Sequence, residues 1–177
     1  IFSIKKKKKK ANKIRRYLEL EIYSEIEEKM QKLKNPKYIF MKSRKWHSGV
    51  IGVVCSRISI KYNIPVILIS LKNGYGKASC RSIEGLNIFE MLKEISHKFE
   101  RFGGHDLAAG FLVSEKYLND IEKYLKNRLL YANKLNVEKI LSIDSKLSIE
   151  EINKNKLLNI NRLSPFGLYN HEPNFLD

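Results

Sequence analysis

The chain has 177 residues, enough for one ordinary domain, or for one domain with pieces of its neighbours. Hydrophobic residues at 43% and aromatics at 10% exclude wholesale disorder, and no apolar run approaches the roughly 20 residues of a membrane helix. The net charge of +15 is uneven: Lys and Arg outnumber Asp and Glu by 12 to 5 in residues 1–35 and by 16 to 8 in residues 36–131, then balance at 6 to 6. A basic excess confined to one part of a chain suits a polyanionic partner, because each neutralised phosphate releases counterions. A solvated lysine-rich surface fits the charge alone equally well.

Lys5 to Lys10 form a block of like charge, which predicts an unstructured or fraying start. An initial Ile in place of Met suggests a fragment, and Ile1-Phe2-Ser3-Ile4 is too short for a signal-peptide core. From Asn12 to Leu33 apolar residues recur every four positions (Ile14, Leu18, Ile22, Ile26, Met30), a helical pattern that Asn35-Pro36 ends. Residues 37–131 read as one α/β unit. Tyr38 to Met41 is a short strand, Gly49 to Ile58 a buried helix, and Pro65 to Ser70 an apolar strand. Asn73-Gly74 signals a hairpin into a second strand from about Gly76 to Ile83. Asn87 with Glu90 caps a helix that turns Leu92, Ile95 and Phe99 inward. The glycine pair Gly103-Gly104 reads as a loop before a strand from Leu107 to Val113, and Ser114 caps a helix with Leu118, Ile121, Leu125 and Leu129 on one face. Strands alternating with helices predict a mixed sheet with flanking helices. Beyond Val137 a new unit begins, with a strand at Ile140–Ile143 and a helix capped by Ser148 and Glu151. Cys55 and Cys80 lack metal-ligand spacing and read as buried thiols in a reducing compartment, so the cytoplasm is the expected location.

Three segments carry polar residues where elements end or turn. Lys45-Trp46-His47-Ser48-Gly49 precedes the buried helix, whose amino end could receive an anion, and Trp46 offers a ring for stacking. Packing of Trp46 and His47 on the core rim is the stronger reading of that segment alone. In Lys77-Ala78-Ser79-Cys80-Arg81, alternation puts Lys77, Ser79 and Arg81 on one strand face as a phosphate-binding row. Phe102-Gly103-Gly104-His105 has glycines that can expose amides to a phosphate and a histidine able to donate to it, although such turns are common without any ligand. Asp106, Asp120, Asp144 and Asp177 are scattered, His97 and His171 stand alone, and there is no Asp-His-His run. The ligand cluster that a metal-dependent phosphodiesterase needs is therefore not expected in this chain.

The order and spacing of these segments resemble the DHHA1 domain of RecJ single-stranded-DNA-specific exonucleases. The matching stretches are Trp46 to Val54, Ser79 to Ser82, and Phe102 to His105 with Ala108-Ala109-Gly110; Cys80 stands where the family usually has a smaller residue. Asn12 to Glu19 resembles the helix linking the family's two core domains, and Ser164-Pro165-Phe166-Gly167 with Asn170 to Phe175 resembles the entry to its oligonucleotide-binding (OB) barrel. The resemblance implies a basic amino terminus and linker helix at 1–35, a DHHA1-like phosphate-binding domain at 36–132, and the incomplete start of an OB-type domain at 133–177. It also implies 5′-to-3′ degradation of single-stranded DNA in repair and recombination. The Mn²⁺ or Mg²⁺ would sit in a preceding Asp-His-His domain outside this chain, which would be inactive alone. Ser79 and Arg81 would grip the terminal 5′ phosphate, and Gly103-Gly104-His105 would face the scissile phosphate. Trp46, His47 and Lys77 complete the expected binding set. Single-stranded DNA is the expected partner, with a single-strand-binding protein or helicase as further candidates and no membrane contact. Two alternatives are a DHH-superfamily phosphodiesterase for short RNA or cyclic dinucleotides, and a non-enzymatic nucleic-acid adaptor.

Overall fold

A computed structural model describes residues 2–132, 142–166 and 170–177. The chain divides into two units, residues 1–137 and 138–177. In the first, strand β1 (Ile39–Ser43) lies parallel to β2 (Val66–Lys72), the two being joined through helix α2 (Ile51–Tyr62). β2 turns at Asn73-Gly74, both at positive φ, into antiparallel β3 (Tyr75–Arg81), as the hairpin signal predicts. Helix α3 (Ile88–Lys93) follows, then strands β4 (Arg101–His105) and β5 (Ala108–Ser114) and helix α4 (Leu118–Ala132). The sheet order β1-β2-β3-β5-β4 puts β4 at an edge.

Alternation along β2 sorts two cores. Val66 and Leu68 face Val54, Cys55 and Ile58 of α2, over which helix α1 (Phe2–Gln31) lays Ile22, Ile26 and Met30. Ile67 and Ile69 point the other way, with Ala78, Cys80 and Phe111, into a layer closed by Leu92 of α3 and Ile121, Leu125 and Leu129 of α4. Both thiols are fully buried, and loss of hydration pushes Cys55 up to about 12 and Cys80 well above its ordinary value.

Three features differ from the sequence reading. Lys5–Lys10 continue α1 instead of starting unstructured: lysine is a good helix former, and a helix anchored by Ile22, Ile26 and Met30 propagates backward at little cost. Gly103-Gly104-His105 is not a loop but most of strand β4, paired residue by residue with β5 and held by Phe102, whose ring stacks on Phe89 at 4.9 Å. The helix from Asn87 ends at Lys93, with a short 3₁₀ turn at Ser96–Lys98 before Phe99. Its cap is as expected: the Asn87 Oδ1 accepts from the Glu90 amide at 3.0 Å.

In the second unit, Ser145–Lys146 (β6) pairs in parallel with Phe175–Leu176 (β7), and helix α5 (Lys154–Asn161) lies between them in sequence. Of the strand expected at Ile140–Ile143, Ile140 and Leu141 lie outside the described residues, while Ser142 and Ile143 are irregular. Ser148 precedes only a 3₁₀ turn, Ile149–Glu151. It is Asn153 that caps α5, accepting from the Lys156 amide at 3.0 Å.

Candidate phosphate-binding face

The strand register aligns the expected residues into cross-strand rows. Arg81 pairs with Ala108, which pairs with His105; Ser79 pairs with Gly110, which pairs with Gly103; Lys77 pairs with Leu112, which pairs with Arg101. Directly paired residues project to the same side of a sheet. Arg81, Ser79, Lys77, His105, Gly103 and Arg101 therefore share one face. It is the face that α2 covers over β1 and β2; beyond β3 it is open, and Lys77, Arg101, Gly103 and His105 are exposed. Ala108 and Gly110 form a floor of small residues between the two outer strands.

Arg81 is anchored from beneath. Its Nε donates to Ser56 Oγ at 2.8 Å and its Nη1 to the Cys80 carbonyl at 2.8 Å, and among the described residues Nη2 has no partner. Ser56 in turn donates to the Gly52 carbonyl at 3.1 Å. A fixed guanidinium with one amino group left without a partner is suited to an anionic oxygen. The Ser79 hydroxyl has no partner among the described residues, and Gly52 makes room for it: a Cβ there would come within 3.3 Å of Ser79 Oγ. Gly52 of α2 thus serves the row on β3.

The two glycines of β4 play different parts. Gly104 has φ +151°, and an added Cβ would lie 2.4 Å from the Ala108 carbonyl oxygen, so no side chain fits. A Cβ on Gly103 would meet nothing within 4 Å, which leaves its surface for a ligand. Asp106, in the turn after His105, is engaged structurally: its carboxylate accepts from Asn87 Nδ2 at 2.8 Å and its carbonyl from the Ile88 amide at 2.9 Å.

Trp46 is placed differently from the expectation of a stacking platform. It is 4% exposed, its indole N–H donates to Glu25 Oε2 at 2.7 Å, and its carbonyl accepts from Ser70 Oγ at 2.6 Å. Buried in the core shared with residues of α1 and α2, it secures the loop and offers no surface for a base. His47 is exposed beside it. Its Nδ1 accepts from the Gly49 amide at 3.0 Å, so the neutral ring carries its proton on Nε2. Sequence reasoning missed Arg101 and the hydrogen bond between Ser56 and Arg81. The alternation Arg101-x-Gly103-x-His105 was the available signal for Arg101, but the glycines read as a turn and hid the strand.

Two cavities, of about 430 and 310 Å³, lie on this face, and both are lined by Lys77 and Leu112. Ion pairing across the first unit is selective. Arg57, Lys61, Lys98 and Arg128 pair with carboxylates on or between helices, and Arg44 grips Glu115 through both oxygens at 3.0 and 2.6 Å. Lys45, Lys72, Lys77, Arg81 and Arg101 enter none of the ion pairs among the described residues. Among the described residues, no three His, Cys, Asp or Glu side chains gather as a metal site would require, and no helix is long and apolar enough to cross a membrane.

Comparison with known proteins gives this face a family. The DHHA1 domain matches residues 35–130. The single-stranded-DNA-specific exonuclease RecJ of Bacillus subtilis is 32% identical over 74% of this chain and 17% of its own length, and that of Haemophilus influenzae is 31% identical over 73% and 24%. The chain thus spans a quarter or less of these relatives. Among solved structures, RecJ of Thermus thermophilus in complex with Mg²⁺ superposes with a TM-score of 0.67 at 26% identity, covering 92% of this chain and 25% of the other. An exonuclease RecJ bound to manganese gives 0.58 at 27% identity, covering 67% and 29%. The chain therefore belongs to the DHHA1 domain family, in the form carried by RecJ exonucleases.

Proposed function

We propose that this chain holds the 5′-phosphorylated end of single-stranded DNA for a metal-dependent 5′-to-3′ exonuclease of repair and recombination, and does not cut DNA by itself. The observation that carries this reading is the row-by-row register of Arg81, Ser79, Gly103 and His105 on one open face. Arg81 and His105 lie two strands apart, about 10 Å at the backbone, with Ala108 between them. They suit neighbouring phosphates better than a single one: the terminal group at Ser79 and Arg81, the scissile group at Gly103 and His105. Gly103 lets the strand approach closely, and His105 can donate to a phosphate oxygen. Bound Mg²⁺ or Mn²⁺, as in the relatives' structures, would activate a water and offset charge on the phosphate. Among the described residues the carboxylates are too scattered to hold such an ion.

The test compares 5′-phosphorylated and 5′-hydroxyl oligothymidylates of equal length by fluorescence anisotropy. The chain should favour the phosphorylated end. Arg81→Ala should weaken binding by about tenfold or more, the scale of losing hydrogen bonds to a charged group, and should erase the preference. Equal affinity for both ends in the unaltered chain contradicts the reading. A cyclic dinucleotide outcompeting long DNA would support a short-nucleotide phosphodiesterase, and robust digestion of DNA with Mn²⁺ would contradict the absence of a catalytic centre.

A further inference from the structure

The open face continues beyond the residues assigned above. Past the rows of Arg81 and Ser79 comes the row Ser70, Lys77, Leu112 and Arg101, and then the row Lys72, Tyr75 and Ser114. Successive rows are two residues apart, about 7 Å along the strands, a spacing on the scale of successive phosphates in an extended single strand. The two cavities meet at Lys77 and Leu112, so a trough runs from Gly103 and Arg101 past Leu112 to Tyr75, Lys72 and Lys45. No Asp or Glu lines either cavity. Arg44, a lining residue of the larger cavity, is engaged by Glu115, and Glu25 accepts from the Trp46 indole behind it. Tyr75, at the start of β3, is 45% exposed.

We propose that this trough is a second binding site, which takes the nucleotides that follow the 5′-terminal one. Lys77 and Arg101 hold a phosphate from opposite sides of Leu112, whose side chain carries the sugar. Tyr75 stacks a base, and Lys45 and Lys72 neutralise the phosphates beyond. Charge complementarity selects a polyanion. The exposed ring and apolar floor select unpaired bases over a duplex, whose bases are turned inward. The inference rests on the proposed function for its polarity alone, because the trough would bind a single strand whichever end Arg81 holds.

The experiment measures binding of 5′-phosphorylated oligothymidylates of increasing length to the full chain. Affinity of the unaltered chain should rise with length beyond the dinucleotide. In a Tyr75→Ala/Arg101→Ala variant that gain should fall by about tenfold or more, since stacking and phosphate contacts are lost together, while the preference for a 5′ phosphate persists. Arg81→Ala should show the converse, losing the preference and keeping the gain with length. A control variant, Lys123→Ala/Lys126→Ala, changes charge on α4 across the sheet and should behave as the unaltered chain. Circular dichroism melts establish that each variant is folded; if the double variant melts early, Lys45→Ala/Lys72→Ala replaces it with the same expectation. Undiminished length dependence in the trough variants overturns this inference and leaves the proposed function standing. Equal weakening by the α4 control also overturns it, since binding would then follow charge without a site.

Discussion

At the scale of residues, the face is shaped as much by missing side chains as by present ones. Gly104 and Gly103 are neighbours in one strand, yet their constraints are opposite. Gly104→Ala would drive a methyl into the Ala108 carbonyl and Ala109, contacts of 2.4 and 2.5 Å that only backbone movement relieves. It should destabilise the fold by about 2 kcal/mol or more, on the scale of overpacking combined with backbone strain, measured by urea unfolding. Gly103→Ala should change stability by less than about 1 kcal/mol but weaken oligonucleotide binding, because its methyl would occupy space where a phosphate or sugar would lie. A Gly103→Ala variant that binds normally would show that the strand does not approach β4. Arg81 shows how a half-buried cation is made directional: Ser56 holds Nε, and Gly52 clears the space beside Ser79.

At the scale of elements, α1 fastens the loop at the amino end of α2. Burial pushes the Glu25 carboxyl up, but hydrogen bonds from Lys29 and the Trp46 indole outweigh this and hold it below its ordinary 4.5. Burial likewise raises Glu27, and hydrogen bonds from Lys61, Tyr62 and Tyr23 bring it below that value. For a carboxylate with a lowered folded value, the stabilisation is full above 4.5 and is lost as pH falls through the folded value. Stability should therefore decline below about pH 4.5 as α1 loosens. Glu25→Ala, which strands the buried indole N–H, should cost about 1–3 kcal/mol, and Glu25→Gln less. The single tryptophan is a direct fluorescence reporter of both.

Elements with strong local signals were legible in the sequence. Apolar spacing found α1, α2 and α4, Asn73-Gly74 found the hairpin, and Asn87 found the start of α3. Alternation placed Lys77, Ser79 and Arg81 on one face before any pairing was known. Strand β4 was not legible. Its glycines carry turn character locally, and only pairing with β5 and the packing of Phe102 among Phe89, Phe99 and the strand below make it extended. The burial of Trp46 was equally hidden, because its partner Glu25 lies far away in sequence, on a helix whose docking the sequence does not specify.

At the scale of the whole molecule, the charge of +15 acquires a direction. Composition alone could not tell a generic lysine-rich surface from a binding site. In the structure, carboxylates on the helices pair with neighbouring cations, while Lys45, Lys72, Lys77, Arg81 and Arg101 on the open side of the sheet enter no ion pair among the described residues. Unpaired cations gathered over a floor of Gly and Ala form an electrostatic surface that phosphates can approach closely.

Amide chemical-shift mapping by NMR, titrating a 5′-phosphorylated oligothymidylate into isotope-labelled protein, would locate the bound strand on the sheet. Shifts should concentrate at Ser79, Arg81, Gly103, Gly104 and His105, with Ile121 and Leu125 of α4 unmoved. Shifts concentrated on α3 and α4, with β3 and β4 unchanged, would contradict that placement.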